Sequence, residues 1–236
     1  MKIKSRFFIF FAFFLFNLNY LKASNLDQAD SLFDARKYTE ALEIYENIFR
    51  SGQVSPSMLL KMAFIQEGLE NYVDALYYLN LYYVRSGNKK AQVKMQEIAA
   101  ANELEGYEFT DEDLMLNILR KNKLMIQITL IIFLLLLFLY IIRKFKKNES
   151  ARLALIFQGV VLIVLLAFNN ELFSTERAIV LNDHTLLRSA PSAAAEPLES
   201  IEKGHRVRVL EQSDVWIKIE WNDQTAYLRK GRIRLI

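Results

Sequence analysis

The chain has no cysteine among its 236 residues. Disulfides, cysteine-ligated zinc and thiol catalysis are therefore excluded. The absence says nothing about compartment, since many exported proteins lack disulfides. Glycine is scarce. Gly52, Gly68, Gly87, Gly106, Gly159, Gly204 and Gly231 never fall within one motif's spacing, so no phosphate-cradling loop and no dinucleotide fingerprint can be drawn. Histidine is scarcer still, with only His184 and His205. Asp183 beside His184 could be drawn as an acid–base pair, but adjacent strand residues point to opposite faces, and both read as surface loop residues. The carboxylates Asp111-Glu112-Asp113 fit a helix start, where negative charge meets the positive end of the dipole. A formal net charge of +3 is too small to indicate nucleic-acid binding. No metal, no cofactor and no catalytic constellation is expected, so the chain is not read as an enzyme.

What the chain does have is apolar sequence. Hydrophobic residues make up 53% of it, which rules out an intrinsically disordered chain. Much of the excess sits in three runs, leaving two modest soluble segments. The first run follows Lys2, Lys4 and Arg6, spans Phe7 to Phe16, and leads to Leu21-Lys22-Ala23. It reads as a signal peptide over residues 1–23, because its apolar core is shorter than the roughly 20 residues a spanning helix needs; an uncleaved anchor is the alternative. The second run, residues 124–142, carries no charge, and the third covers residues 153–169. Both are read as transmembrane helices.

The connecting segment, residues 143–152, holds Arg143, Lys144, Lys146, Lys147 and Arg152 against Glu149 alone. A short, strongly basic loop belongs on the cytoplasmic side. An export signal independently places the N-terminal segment outside, and two spans return the C-terminal segment there. The expected location is a bacterial inner membrane with both soluble segments outside the cytoplasm. Arg120, Lys121 and Lys123 on the outer flank oppose this mildly.

From Asn25 to Leu104 apolar residues recur at helical spacing. The segment also repeats. Leu26 matches Leu60, Ala29 matches Ala63, Tyr38 matches Tyr72, and Ala41 matches Ala75, each pair 34 positions apart. That period fits the tetratricopeptide (TPR) repeat, a helix–turn–helix unit; an ordinary pair of helical hairpins is the alternative. The expected domain covers residues 24–110, with repeats at about 22–55 and 56–89. Ala29, Ala41, Ala63 and Ala75 allow close helix approach, and Tyr38 and Tyr72 fill the turns. Gly52 and Gly87 stop the second helices. A third helix from about Lys90 to Leu104, ended by Gly106, is read as a cap. A helix from Thr110 is expected to run through Asn117 into the first span as a stiff link. First-helix residues Asp30, Phe33, Asp34 and Lys37, then Phe64 and Glu67, would line a concave partner-binding groove. The segment from Ser24 to Thr110 has 8 basic and 13 acidic residues, which suits a basic or extended peptide; a solvated helix surface is an equally good reading of the charge.

From Arg177 the period changes to two. His205-Arg-Val-Arg-Val-Leu210 and Trp216-Ile-Lys-Ile-Glu-Trp221 alternate. About 60 residues of short strands form a small all-β barrel over residues 177–236. The order Ala178-x-Val180, Leu187-Arg188-x-x-Pro191-Ser192, Leu198, Ile201-x-x-Gly204-x-x-Val207, Val209-Leu210, Trp216-x-Lys218-Ile219 and Ala226-Tyr227-Leu228 resembles the bacterial SH3 (SH3b) module. That family usually ends in Gly-Trp-Val where this chain has Ala-Tyr-Leu. The resemblance implies a groove for peptides or peptidoglycan stems, with Trp216, Trp221 and Tyr227 as aromatic candidates. The alternative places Trp216 partly in the core and Trp221 beside a turn. The basic tail Arg229-Lys230-Arg232-Arg234 reads as a solvated strand edge that discourages aggregation; contact with anionic lipid headgroups is the alternative.

The chain is thus expected to be a multidomain membrane protein: an all-α TPR solenoid, a two-helix transmembrane hairpin and a small SH3-like barrel. That order, with the repeat and SH3b marks above, resembles the BatE family of the aerotolerance (Bat) operon. The resemblance implies a non-catalytic scaffold in an envelope complex linked to stress or oxygen tolerance. It implies as partners membrane proteins with von Willebrand factor A domains, further TPR proteins and a MoxR-type AAA+ ATPase. An envelope sensor whose SH3b domain binds peptidoglycan is the alternative.

Overall fold

The computed structural model describes residues 25–169 and 176–236; the expected signal peptide lies outside them. The chain divides into two compact units, one ending at Tyr82 and one beginning at Tyr83.

The first unit is helical: α1 (residues 25–34), α2 (Tyr38–Arg50), α3 (Pro56–Gly68) and most of α4 (Tyr72–Ser86). Ser55 caps α3, its hydroxyl accepting from the Met58 amide at 3.2 Å, with Pro56 in the first helical position. The α1–α2 and α3–α4 turns repeat one geometry. Arg36 and Glu70, 34 residues apart, take φ of 61° and 60°. The Lys37 amide donates to Leu32 O and the Asn71 amide to Gln66 O, both at 2.9 Å. The Ala41 and Ala75 amides then donate to Lys37 O and Asn71 O, both at 3.0 Å. Ala29, Ala41 and Ala75 are fully buried, and Ala63 nearly so. A methyl group is all these contacts admit, so large residues such as Tyr45, Leu59 and Leu76 fill the space beside them.

The second unit opens with the end of α4 and α5 (Lys89–Ala101), whose N-terminus is capped by the Asn88 side chain accepting from Lys90 N at 2.9 Å. α5 stops at Ala101, three residues short of the sequence expectation. Glu103 takes φ 54° and the Leu104 amide closes back on Ala99 O at 2.8 Å, so the helix ends before Gly106 is reached. Next come α6 (Asp111–Lys121) and α7 (Lys123–Lys146). Only Asn122, with φ −100° and ψ 11°, separates them. Its amide donates to Ile118 O at 3.1 Å and its carbonyl accepts from the Ile126 amide at 2.9 Å, so helical hydrogen bonding continues across the junction, while its side chain also donates to Ile118 O at 2.9 Å.

α7 and α8 (Arg152–Asn169) are both long and apolar enough to cross a membrane. Protein buries only 6% of the apolar window of α7 and none of that of α8, unlike the core helices of a water-soluble fold. They pack as a hairpin, with Phe133 edge-on to Phe157 at 6.1 Å and Gln127 donating to Asn169 at 3.2 Å. Arg143, Lys144 and Lys146 fill the last turn of α7, where cations complement the dipole.

The rest is β-structure: β1 (Glu176–Val180), β2 (Thr185–Arg188), β3 (Pro197–Ile201), β4 (Arg206–Gln212), β5 (Trp216–Trp221), β6 (Gln224–Arg229) and β7 (Ile233–Leu235). All pairings are antiparallel, in the order β3-β2-β6-β5-β4-β1-β7. Alternation supplies the core: Ile217, Ile219 and Trp221 from β5, Val207 and Val209 from β4, Ala226 and Leu228 from β6. Asn222 and Asp223, with φ 48° and 58°, make the two-residue turn that such tight hairpins need.

Candidate functional site

On β5 the even-numbered residues face away from the core. Trp216 is half-exposed there and lies opposite Arg229 of β6, whose guanidinium sits 5.7 Å from its ring. Tyr227, opposite Lys218, is on the same face. Trp221 is not. It lies in the core at 8% exposure, its indole N–H donates to Glu199 at 2.9 Å, and its ring meets His205 edge-on at 5.2 Å. Of the three aromatic candidates, Trp216 borders the groove on that face, while Trp221 borders a separate hollow with Arg208, Glu220 and Asp223.

That groove is a cavity of about 190 Å³ lined by His184, Thr185, Leu186, Arg188, Ala193, Trp216, Arg229 and Arg232. Three arginines stand around one tryptophan, and no carboxylate is in the lining. Arg188 donates to Ala195 O at 2.7 Å, which ties down the loop between β2 and β3. Asp183 and His184 have separate partners, Lys203 at 3.0 Å and Glu202 at 2.8 Å. Arg229 and Arg232 belong to the stretch that reads in sequence as a solvated edge. The 3-10 turn Lys230–Arg232 brings them beside a loop about 40 residues earlier, a proximity that the linear pattern does not show.

The segment of residues 184–234 matches the family model of the bacterial SH3 domain. The match begins after β1, although β1 gives Ala178 and Val180 to the core of the SH3 domain. No curated protein matches the chain.

In the helical unit, Phe33, Tyr38 and Phe64 form a mutual edge-to-face cluster, with ring centres 5.4 to 5.8 Å apart. Phe64 is 53% exposed. Lys61, which the sequence pattern did not single out, completes the patch: its ammonium lies 2.8 Å from Asp30 and 5.1 Å from the centre of the Phe33 ring. Asp30 also accepts from the Tyr45 hydroxyl. Burial alone would raise the Asp30 carboxyl, but the hydrogen bonds from Lys61 and Tyr45 outweigh it and hold the pKa below the usual carboxylate range. Burial first, then Asp30, pushes the Tyr45 hydroxyl up, so it remains a donor. Asp30, Phe33 and Phe64 thus meet in one patch. Asp34 and Lys37 are exposed, Lys37 pairing with Glu40 at 3.4 Å, and Glu67 is exposed on α3. Tyr38, expected as turn filler, belongs to the half-exposed aromatic cluster. Tyr72, its equivalent in the repeat, opens α4.

Proposed function

We propose that this chain is a non-catalytic, membrane-anchored adaptor of the Bat type. Its helical unit, read as two TPR repeats, holds a segment of a partner protein. The observation that carries this reading is the repeated turn: Arg36 and Glu70 share one backbone conformation and one hydrogen-bond pattern at a 34-residue offset. The exposed Phe33–Tyr38–Phe64 cluster beside Lys61 and Asp30 is the proposed contact surface, since aromatic side chains flanked by charges anchor interfaces. Bat-operon membrane proteins with von Willebrand factor A domains are the proposed partners. Following the density of positive charge between α7 and α8, the loop is assigned to the cytoplasm and both soluble segments to the outer side of a bacterial inner membrane. Affinity purification from native membranes in mild detergent tests the assignment. Von Willebrand factor A proteins should co-purify with the native chain and be lost from a Phe33→Glu/Phe64→Glu variant that still folds. Retention by that variant would count against the cluster.

A second reading concerns the SH3 domain. A bacterial SH3 domain is consistent with binding a protein or a cell-wall peptide. The groove of Arg188, Arg229 and Arg232 around Trp216 favours a ligand that carries a carboxylate, because arginine pairs with carboxylates in a planar, two-pronged geometry. Sedimentation of the full-length protein in detergent with purified cell wall tests this. Binding should fall with added salt and be lost on Arg229→Ala; absence of binding would leave the groove to a protein partner.

A further inference from the structure

Arg206 lies on β4 yet is only 3% exposed. What covers it is the segment of residues 105–109, which precedes α6. The Arg206 guanidinium stands 4.9 Å from the Tyr107 ring centre and 4.5 Å from that of Phe109. Its Nε donates to Gly106 O and its Nη2 to Glu108 O at 3.3 Å. The backbones meet as well. The Arg206 amide donates to Glu105 O at 3.1 Å, and the Glu105 amide donates to His205 Nδ1 at 3.0 Å. The Tyr107 hydroxyl, itself buried, donates to Gly204 O at 2.8 Å. Phe109 also packs edge-on against Tyr83 at 5.2 Å. Gly106 is the one residue type that fits its place. Its φ is +84°, and a Cβ there would overlap the Arg206 carbonyl.

A buried guanidinium keeps its charge, so removing its partners leaves a costly group behind. These contacts engage the guanidinium through Nε and Nη2 and set it against two aromatic rings. They are built for this segment: three of the five hydrogen bonds read the backbone of residues 105–108 from Arg206, and Tyr107 and Phe109 supply the stacking.

We propose that residues 105–109 are an intramolecular ligand of the SH3 domain, held at its Gly204–Arg206 edge, and that this clasp ties the chain before α7 to the domain after α8 on one side of the membrane. The surface would accept an extended segment with a glycine followed by aromatic residues at the next position and two beyond it. A contact between folded polypeptide surfaces in water can form only if both lie on the same side, which requires an even number of spans between them. The proposal does not depend on what either binding surface takes as its partner.

The native chain lacks cysteine, so introduced thiols report without background. A full-length Glu105→Cys/His205→Cys variant, in native membranes, is treated with a short bifunctional thiol reagent. The expected result is a cross-link within one chain, found by peptide mass spectrometry in the monomer band. Adding Arg206→Ala should remove most of it while both thiols still react with a small maleimide. No cross-link, or a cross-link found only in covalent dimers, would overturn the intramolecular clasp; the second result would place the segment on another copy. Sidedness gives an independent reading. In intact cells, a membrane-impermeant thiol reagent should give the same labelling result for single Glu105→Cys and Asp223→Cys variants. Labelling of one and protection of the other, with both reactive after lysis, would overturn the proposal.

Discussion

Gly106 and Arg206 meet backbone to backbone, a hundred residues apart, with no room for a side chain on the glycine. Gly106→Ala should therefore lower the stability of the full chain. The left-handed conformation alone costs an alanine roughly 1–2 kcal/mol, and the overlap with the Arg206 carbonyl adds to it. Thermal unfolding in detergent measures the loss. An unchanged melting temperature would mean that the segment is not seated against β4.

His205 makes the same contact sensitive to acid. Burial lowers its pKa below the usual 6.5 and outweighs the opposing pull of Glu105, Glu202 and Glu199. The neutral ring accepts the Glu105 amide through Nδ1, and protonation of that nitrogen removes the acceptor. Because the unfolded chain takes up the proton first, stability is full above about pH 6.5 and falls as pH drops through the folded value. Melting temperatures measured from pH 8 to pH 5 should decline in the native chain, and the slope should flatten in His205→Gln.

The two tryptophans of β5 should part company. Trp221→Ala removes a core side chain and a hydrogen bond to Glu199, and is expected to cost about 3–5 kcal/mol. Trp216→Ala should leave the melting temperature nearly unchanged and weaken whatever the arginine-lined groove binds. Unfolding curves and cell-wall sedimentation on both variants separate the roles; equal destabilisation would contradict the face assignment.

Asp223 holds φ 58° in the β5–β6 turn, where this turn class favours glycine. Asp223→Gly is expected to stabilise the full chain, read as a rise in the melting temperature; a fall would mean that the turn does not hold this conformation.

Tyr83 carries a buried hydroxyl with no hydrogen-bond partner among the described residues. An unmet buried polar group costs about 1–3 kcal/mol. Tyr83→Phe keeps the edge-to-face contact with Phe109 and should be neutral or stabilising. A clear loss of stability would show that the hydroxyl has a partner in the folded protein.

Much of the architecture is local in origin and was legible in the residues. Period-two alternation in β4 and β5 located strands, and their inward residues are the core of the SH3 domain. Uninterrupted apolar runs located α7 and α8, because length and hydropathy depend on no distant contact. The 34-residue spacing of Ala29, Tyr38 and Ala41 with Ala63, Tyr72 and Ala75 anticipated two turns of one geometry. Helix ends were less legible. α5 stops at Ala101, ahead of a left-handed Glu103 and before Gly106 is reached, and a charged residue there carries no visible stop signal.

The order of the elements, the apolar hairpin and the strand faces all follow from the periodicity of side chains along the backbone. Which residues share a surface follows from the folding of distant segments onto one another. Trp221 parted from Trp216 because odd positions on β5 point inward. Arg188 joined Arg229 and Arg232 because the sheet sets β2 beside β6. Lys61 joined Asp30 and Phe33 across two helices. Gly106, which reads as a helix stop, is a contact point for Arg206. Such juxtapositions arise from chain segments that fold back on one another from far apart, and a pattern read along the chain carries no distance between them.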